Sequence, residues 1–86
     1  MPKISSFYGI VIMMYWREHN PPHFHAKYGD DEVLIGINDC SILNGWLPPR
    51  AMALVIEWAV INKEELIKNW ERGTQELSFN KIEPLK

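Results

Sequence analysis

The sequence predicts a small α+β domain, in which an antiparallel sheet of three to four strands is packed on one face by two helices. The first half contains runs of aromatic and β-branched residues with the alternation typical of strands. Two segments with helical periodicity follow Pro49. A chain of 86 residues, 47% of them hydrophobic, is large enough for one packed core. We therefore expect residues 1–86 to form a single domain.

The first strand is predicted over the apolar run from Phe7 to Trp16. Both of its faces are apolar: one carries Ile10, Ile12, Met14 and Trp16, and the other carries Val11, Met13 and Tyr15. A sheet with helices on a single face should carry polar residues on its other face. Either another subunit or a partner protein covers the second face, or Met13 and Tyr15 are half-exposed.

The second strand is predicted from His23 to Tyr28, directly after Pro21-Pro22, since the two prolines exclude a helix at this point. Neighbouring side chains of a strand point to opposite faces. Phe24, Ala26 and Tyr28 are expected in the core, and the opposite, open face is expected to carry His23, His25 and Lys27.

A tight turn at Gly29-Asp30-Asp31 is expected to lead into a third strand, Glu32 to Asn38. Its alternation places Val33, Ile35 and Ile37 in the core and Glu32 beside the histidines. The polar stretch from Asp39 to Gly45 is typical of turns.

Two helices are predicted after Pro49, a residue that suits the first position of a helix. The segment Arg50 to Ile61 is apolar almost all round, which indicates a central helix buried on most sides. Asn62 and Glu65 resemble a capping box that opens a second helix, Lys63 to Arg72, and Gly73 should end it. The apolar residues of the tail predict a short strand or an ordered arm.

Composition excludes several classes of function. The net charge of −2 is spread evenly along the chain, which argues against a protein that coats nucleic acid, although a small basic pocket is still allowed. The single cysteine, Cys40, excludes an internal disulfide and a Cys-rich zinc site, and it suits a reducing compartment. Without a transmembrane stretch or a signal-peptide pattern, the expected location is cytoplasmic, with no membrane partner.

All three histidines lie between His19 and His25, which makes this segment the candidate site. One interpretation is a metal site. No cofactor is expected on composition, and a divalent metal ion is the alternative. His23 and His25 would bind it, and the remaining ligand would be His19 or one of the acids Asp30, Asp31 and Glu32.

A second interpretation is metal-independent cleavage of RNA. His23 and His25 would act as the acid–base pair, because imidazole titrates near neutral pH. Lys27 and Arg17 would stabilise the charge that develops on the phosphorus centre. A base could stack on one of the tyrosines Tyr8, Tyr15 and Tyr28.

A third interpretation is a binding module without catalysis. The histidine segment would then be part of an interface, with the apolar residues Met13, Met14, Tyr15 and Trp16 as its anchors. The purely structural alternative is that Pro21-Pro22 sets a turn, His19 and His25 bond backbone groups, and the aromatic residues belong to the core.

Four stretches of the chain match the pattern of a known family in order and spacing. They are His19-Asn20-Pro21-Pro22-His23-Phe24-His25-Ala26-Lys27-Tyr28, Leu47-Pro48, Glu57-Trp58, and Glu64-Glu65-Leu66 through Asn69-Trp70. With them the chain resembles the family known as domain of unknown function 4160. The resemblance extends over nearly the whole chain. It implies a compact α+β protein of bacterial origin that often accompanies a second small protein, as toxin–antitoxin pairs do. Asn62 departs from the family pattern, since members often have histidine there, so any site that needs that imidazole would be incomplete.

The resemblance implies one member of a two-protein, toxin–antitoxin-like module, and the histidine segment suggests its site. This chain would be the toxin, an RNA-cleaving protein that acts through its histidine-rich surface. Its partner would be a small protein encoded nearby, and a homodimer is a further expectation. A protein-binding module without catalysis, or a metal-binding domain, is the alternative.

Overall fold

A computed structural model describes residues 2–86 and contains one antiparallel sheet and two helices. The five strands lie side by side in chain order, and they are β1 (Lys3–Phe7), β2 (Ile10–Met13), β3 (His23–Tyr28), β4 (Asp31–Gly36) and β5 (Ile42–Gly45). They are followed by α1 (Pro49–Ile61) and α2 (Lys63–Thr74). The α+β class is confirmed, and the sheet is larger than the predicted three to four strands.

The apolar run from Phe7 to Trp16 is not a single strand. Tyr8 and Gly9 both have positive φ, 51° and 80°, and they reverse the chain so that Phe7 pairs with Ile10. Two central residues with positive φ are typical of a type I′ hairpin turn. The prediction was wrong because Tyr8 has the residue type of a strand but the backbone of a turn. Trp16 was also misplaced, since it lies beyond the end of β2 and is exposed.

The strand β5 was also not predicted from the sequence. The stretch from Asp39 to Gly45 was expected to be turn, but Ile42–Gly45 pairs with β4 at the edge of the sheet. All four residues of β5 are exposed, so no alternation between a buried and a solvated face marks them as a strand in the sequence.

The core lies between one face of the sheet and the helices. Phe24, Ala26, Val33 and Ile35 on β3 and β4 are fully buried, as predicted. The indole of Trp58 on α1 lies 5.8 Å from the Phe24 ring, measured between ring centroids. The prediction for Tyr28 was wrong: it lies at the end of β3 and is exposed.

The helices begin and end close to the predicted residues. Val60 and Ile61 on α1 are exposed, so this helix is less buried than its composition predicts. The predicted capping box is absent, because the Asn62 side chain donates to the Trp58 carbonyl at 2.9 Å and does not cap α2. None of the helices within residues 2–86 has the length and apolar character needed to span a bilayer.

The tail after α2 is an ordered arm, which was one of the two predicted forms. Ile82 donates its backbone N–H to the carbonyl of Ile4 on β1, and Trp58 donates its indole N–H to the carbonyl of Glu83. The arm therefore fastens α1 and the edge strand β1 to each other.

Candidate functional site

The alternation predicted for β3 holds from His23 to Lys27, but the face that carries the histidines is not open. His23 and His25 point away from the helix-covered core, yet their side chains are only 7% and 12% exposed. Trp70 of α2 lies 5.2 Å from His23, and Tyr15 meets His25 edge-on at 4.7 Å, both measured between ring centroids. The chain itself covers the two imidazoles.

The structure also shows how the second, apolar face of β2 is covered. Met13 pairs with His25 across the strands and is 2% exposed within the chain. Tyr15 is half-buried and donates its hydroxyl to the sulfur of Met13 at 3.5 Å. The burial of Met13 therefore needs no second subunit.

Glu18 is the residue that the sequence reasoning missed. Its Oε1 atom lies 2.7 Å from Nε2 of His25 and 3.3 Å from Nε2 of His23. The candidate ligand atoms of Glu18, His23 and His25 all lie within 4.8 Å of one another. We call these three residues the Glu18–His23–His25 cluster. Its carboxylate comes from the loop between β2 and β3, and the sequence offers no spacing rule that would have singled it out.

His25 is held between two carboxylates. Its Nε2 faces Glu18, and its Nδ1 lies 3.0 Å from Oε2 of Glu32 on β4. Glu32 thus occupies the histidine face, as predicted. Of the three acids considered as further ligands, Glu32 is the one that contacts an imidazole within the described residues 2–86. Asp30 in the turn and Asp31 at the start of β4 do not.

The hydrogen bonding of His23 indicates its tautomer. Nδ1 lies 2.8 Å from the carbonyl oxygen of Pro21, and a carbonyl can only accept, so the proton of the neutral ring is assigned to Nδ1. Nε2 then carries a lone pair. It is buried and forms no hydrogen bond with any described residue, although Glu18 Oε1 lies nearby.

The structure does not bring His19, one of the predicted ligands, into the cluster. His19 is exposed, and Glu18 lies beside His23 and His25 instead. The prediction counted imidazoles along the chain, whereas the turn at Trp16–Arg17 brings the neighbouring carboxylate back onto β3.

Glu18 and Glu32 place negative charge at the cluster. Burial, and then the charges of Glu32 and Glu18, raise the pKa of the Tyr15 hydroxyl above its usual value. The predicted cations are further out. Lys27 is exposed on the histidine face, opposite Glu32 in the β3–β4 pair.

Arg17 is exposed and pairs with Glu76, with Nε 3.5 Å from the carboxylate. Its backbone N–H donates to the carbonyl of Gly73 at 3.4 Å, so Arg17 fastens the loop to the end of α2. Within residues 2–86 no hydrogen bond or ion pair joins Arg17 to the imidazoles. Of the three tyrosines considered for base stacking, only Tyr15 contacts the cluster; Tyr8 and Tyr28 line a separate cavity beside Pro48.

Comparison with known proteins identifies one family. The family model described as "Domain of unknown function (DUF4160)" matches residues 9–71, a range that includes the cluster and most of α2. No curated protein and no solved structure matches the chain.

Proposed function

The chain belongs to the DUF4160 family, and we propose that it is the toxin of a two-protein, toxin–antitoxin-like module. The frequent company of a second small protein, which the family resemblance implies, supports the module. In this proposal the toxin cleaves RNA at the histidine face of β3, and the partner encoded nearby neutralises it.

The observation that carries the proposal is the position of His25 between two carboxylates. Cleavage of RNA by its own 2′-hydroxyl needs a group that accepts the hydroxyl proton. Glu18 and Glu32 hold the His25 ring at both nitrogens, at 2.7 and 3.0 Å. In this proposal Glu18, which lies in a loop, moves away from Nε2 so that this nitrogen can accept the hydroxyl proton, and the protonated ring then donates a proton to the leaving 5′-oxygen. With 12% of its side chain exposed, His25 is also the imidazole of the cluster that reaches the surface more readily.

The other predicted catalytic residues receive different roles. Lys27 is exposed two residues further along the same face, where its ammonium can stabilise the charge on a scissile phosphate. His23 is more enclosed and supports His25 as a positioning residue. Arg17 would have to leave Glu76 to reach a phosphate, so the proposal assigns the cationic role to Lys27 first.

The test expresses the chain with and without the neighbouring reading frame and follows growth and RNA integrity. His25→Ala should abolish growth inhibition and lower the rate of RNA cleavage by about 100-fold or more, as expected for the loss of an acid–base group. His19→Ala is the matched control, because it removes an exposed histidine from the same segment and should leave both readouts unchanged. A folded His25→Ala protein that cleaves RNA as fast as the parent would contradict the proposal.

A second candidate function, protein binding without catalysis, is favoured by the edge of the sheet. Ile42 and Leu43 of β5 and the following Trp46 are exposed apolar residues on a strand with a free edge. Such an edge can pair with a strand of another chain, either the neighbouring protein or a second copy in a homodimer. Leu43→Lys should then prevent copurification of the pair, whereas His25→Ala should not. Retained copurification in Leu43→Lys would remove β5 from the interface.

A further inference from the structure

Three side-chain atoms of the cluster converge on one point beside β3. Nε2 of His23 and Nε2 of His25 lie 3.3 and 2.7 Å from the same carboxylate oxygen of Glu18. Ligand atoms bound tetrahedrally at the usual zinc distances are about 3.3 Å apart. The His23–Glu18 separation already has this value. The His25–Glu18 separation would have to widen by about 0.6 Å to reach it, and Glu18 lies in a loop rather than in the sheet.

The outward nitrogens of both imidazoles are already occupied. Nδ1 of His23 lies 2.8 Å from the Pro21 carbonyl, and Nδ1 of His25 lies 3.0 Å from Oε2 of Glu32. Histidines that bind metals almost always donate their second ring N–H to a carbonyl or a carboxylate in this way. With an ion bound, the protons would lie on both Nδ1 atoms and both Nε2 lone pairs would face the ion beside Glu18.

One atom of the cluster is unpaired among the described residues. Nε2 of His23 is buried and forms no hydrogen bond there. The side chain of His23 is 93% buried, so bulk water cannot compensate this nitrogen. The exposed Lys27 and Arg17 form no ion pair with Glu18 in the described part of the chain. A divalent cation bound at the cluster would occupy this nitrogen and offset the negative charges of Glu18 and Glu32.

We infer that Glu18, His23 and His25 bind one divalent transition-metal ion through Oε1 and the two Nε2 atoms. Two imidazoles and one carboxylate are the ligands that zinc, nickel, cobalt and iron(II) accept. Three protein ligands leave a coordination position for water or substrate, as in catalytic rather than structural zinc sites. Pro21 and Glu32 act as the outer acceptors that orient the rings.

The inference concerns the same cluster as the proposed function and rests on that proposal only for its catalytic meaning. An ion that takes the lone pair of His25 Nε2 would transfer the proton-accepting role to water bound on the metal. Metal binding itself can be measured without any RNA. A protein that cleaves RNA but binds no metal would overturn the inference and leave the proposed function in place.

The experiment measures zinc and cobalt binding by the purified full-length protein. The parent should bind one equivalent of zinc in competition with a chromophoric chelator, and the cobalt complex should show visible absorption of a low-coordinate site. Glu18→Gln and His25→Ala should each weaken zinc binding by about 100-fold or more. Glu32→Gln, which removes the negative charge of the outer acceptor, should weaken it by about 10- to 100-fold. His19→Ala should bind as the parent does.

Two results would overturn the inference. One is a folded parent protein that binds neither zinc, cobalt nor nickel saturably. The other is an equal loss of binding in His19→Ala and His25→Ala, which would indicate capture by surface histidines rather than by the cluster. Glu18→Gln keeps the size and polarity of a half-exposed loop residue, so it remains informative if His25→Ala fails to fold.

Discussion

The two faces of the sheet bury their side chains by different means. On the helix-covered face, Phe24, Ala26, Val33 and Ile35 are fully buried against apolar neighbours. On the opposite face, β3 buries two imidazoles under a loop and one edge of α2, and it leaves a ring nitrogen without a hydrogen bond. The first face is explained by packing alone. The second is not, because burial of an unpaired polar atom opposes folding by about 1–3 kcal/mol.

The difference separates two sets of side chains along a single strand. Alternate residues of β3 belong to the core and to the cluster, so substitutions one position apart should have unrelated effects. Substitutions on each face test this separation.

Phe24→Ala should lower the free energy of unfolding by about 3–5 kcal/mol, because it removes a fully buried ring beside Trp58 and leaves a cavity. Urea denaturation followed by tryptophan fluorescence measures the change. Leu34→Ala is the matched control on the other face, where this half-buried residue pairs with His25. Its loss should be clearly smaller, and equal losses would mean that the two faces contribute alike to the core.

Zinc should stabilise the parent protein and not the Glu18→Gln variant. A ligand that binds only the folded state, present at 100 times its dissociation constant, adds about 2.7 kcal/mol to the free energy of unfolding. Without metal, Glu18→Gln should change stability by less than about 1 kcal/mol, because the amide can donate to the unpaired His23 nitrogen. Thermal unfolding with zinc and with chelator measures both effects. An equal gain from zinc in both proteins would place the ion elsewhere.

Asp39 is an exposed carboxylate that accepts hydrogen bonds within its own loop, away from the cluster. Hydrogen bonds from Ser41, first from its side chain and then from its backbone N–H, hold the pKa of Asp39 below its usual value. A folded-state pKa below the unfolded one stabilises the fold above the unfolded pKa, and this contribution is lost as the pH falls through the folded pKa. The effect should be small, since Asp39 is exposed.

The measurement is a comparison of urea unfolding at pH 6 and pH 3 for the parent and Asp39→Asn. The parent should lose slightly more stability than the variant over this range. Identical losses would show that the Ser41 hydrogen bonds do not persist in solution.

Particular residues show which parts of the structure can be predicted from the sequence. The period of two in His23–Tyr28 was enough to place Phe24 and Ala26 inside and the imidazoles opposite, because alternation in a strand is a local property. The strand propensity of Tyr8 is outweighed by its positive φ, and β5 was missed because it is an exposed edge strand. Trp16 was misassigned because β2 ends before it. The cluster itself required Glu18, whose approach to β3 depends on a turn and on the docking of Arg17 at Gly73. Contacts of that kind are tertiary, and no spacing in the sequence encodes them.

The most direct test of the account is the state of the two imidazoles, read by long-range ¹H–¹⁵N correlation spectroscopy at pH 7.5. Zinc-bound protein should show both rings of the cluster protonated at Nδ1 and not at Nε2. One equivalent of zinc should shift the two Nε2 resonances and leave His19 unchanged. Doubly protonated His23 and His25 rings that do not respond to zinc would contradict the account, because the cluster would then be a salt bridge that fastens the loop to β3.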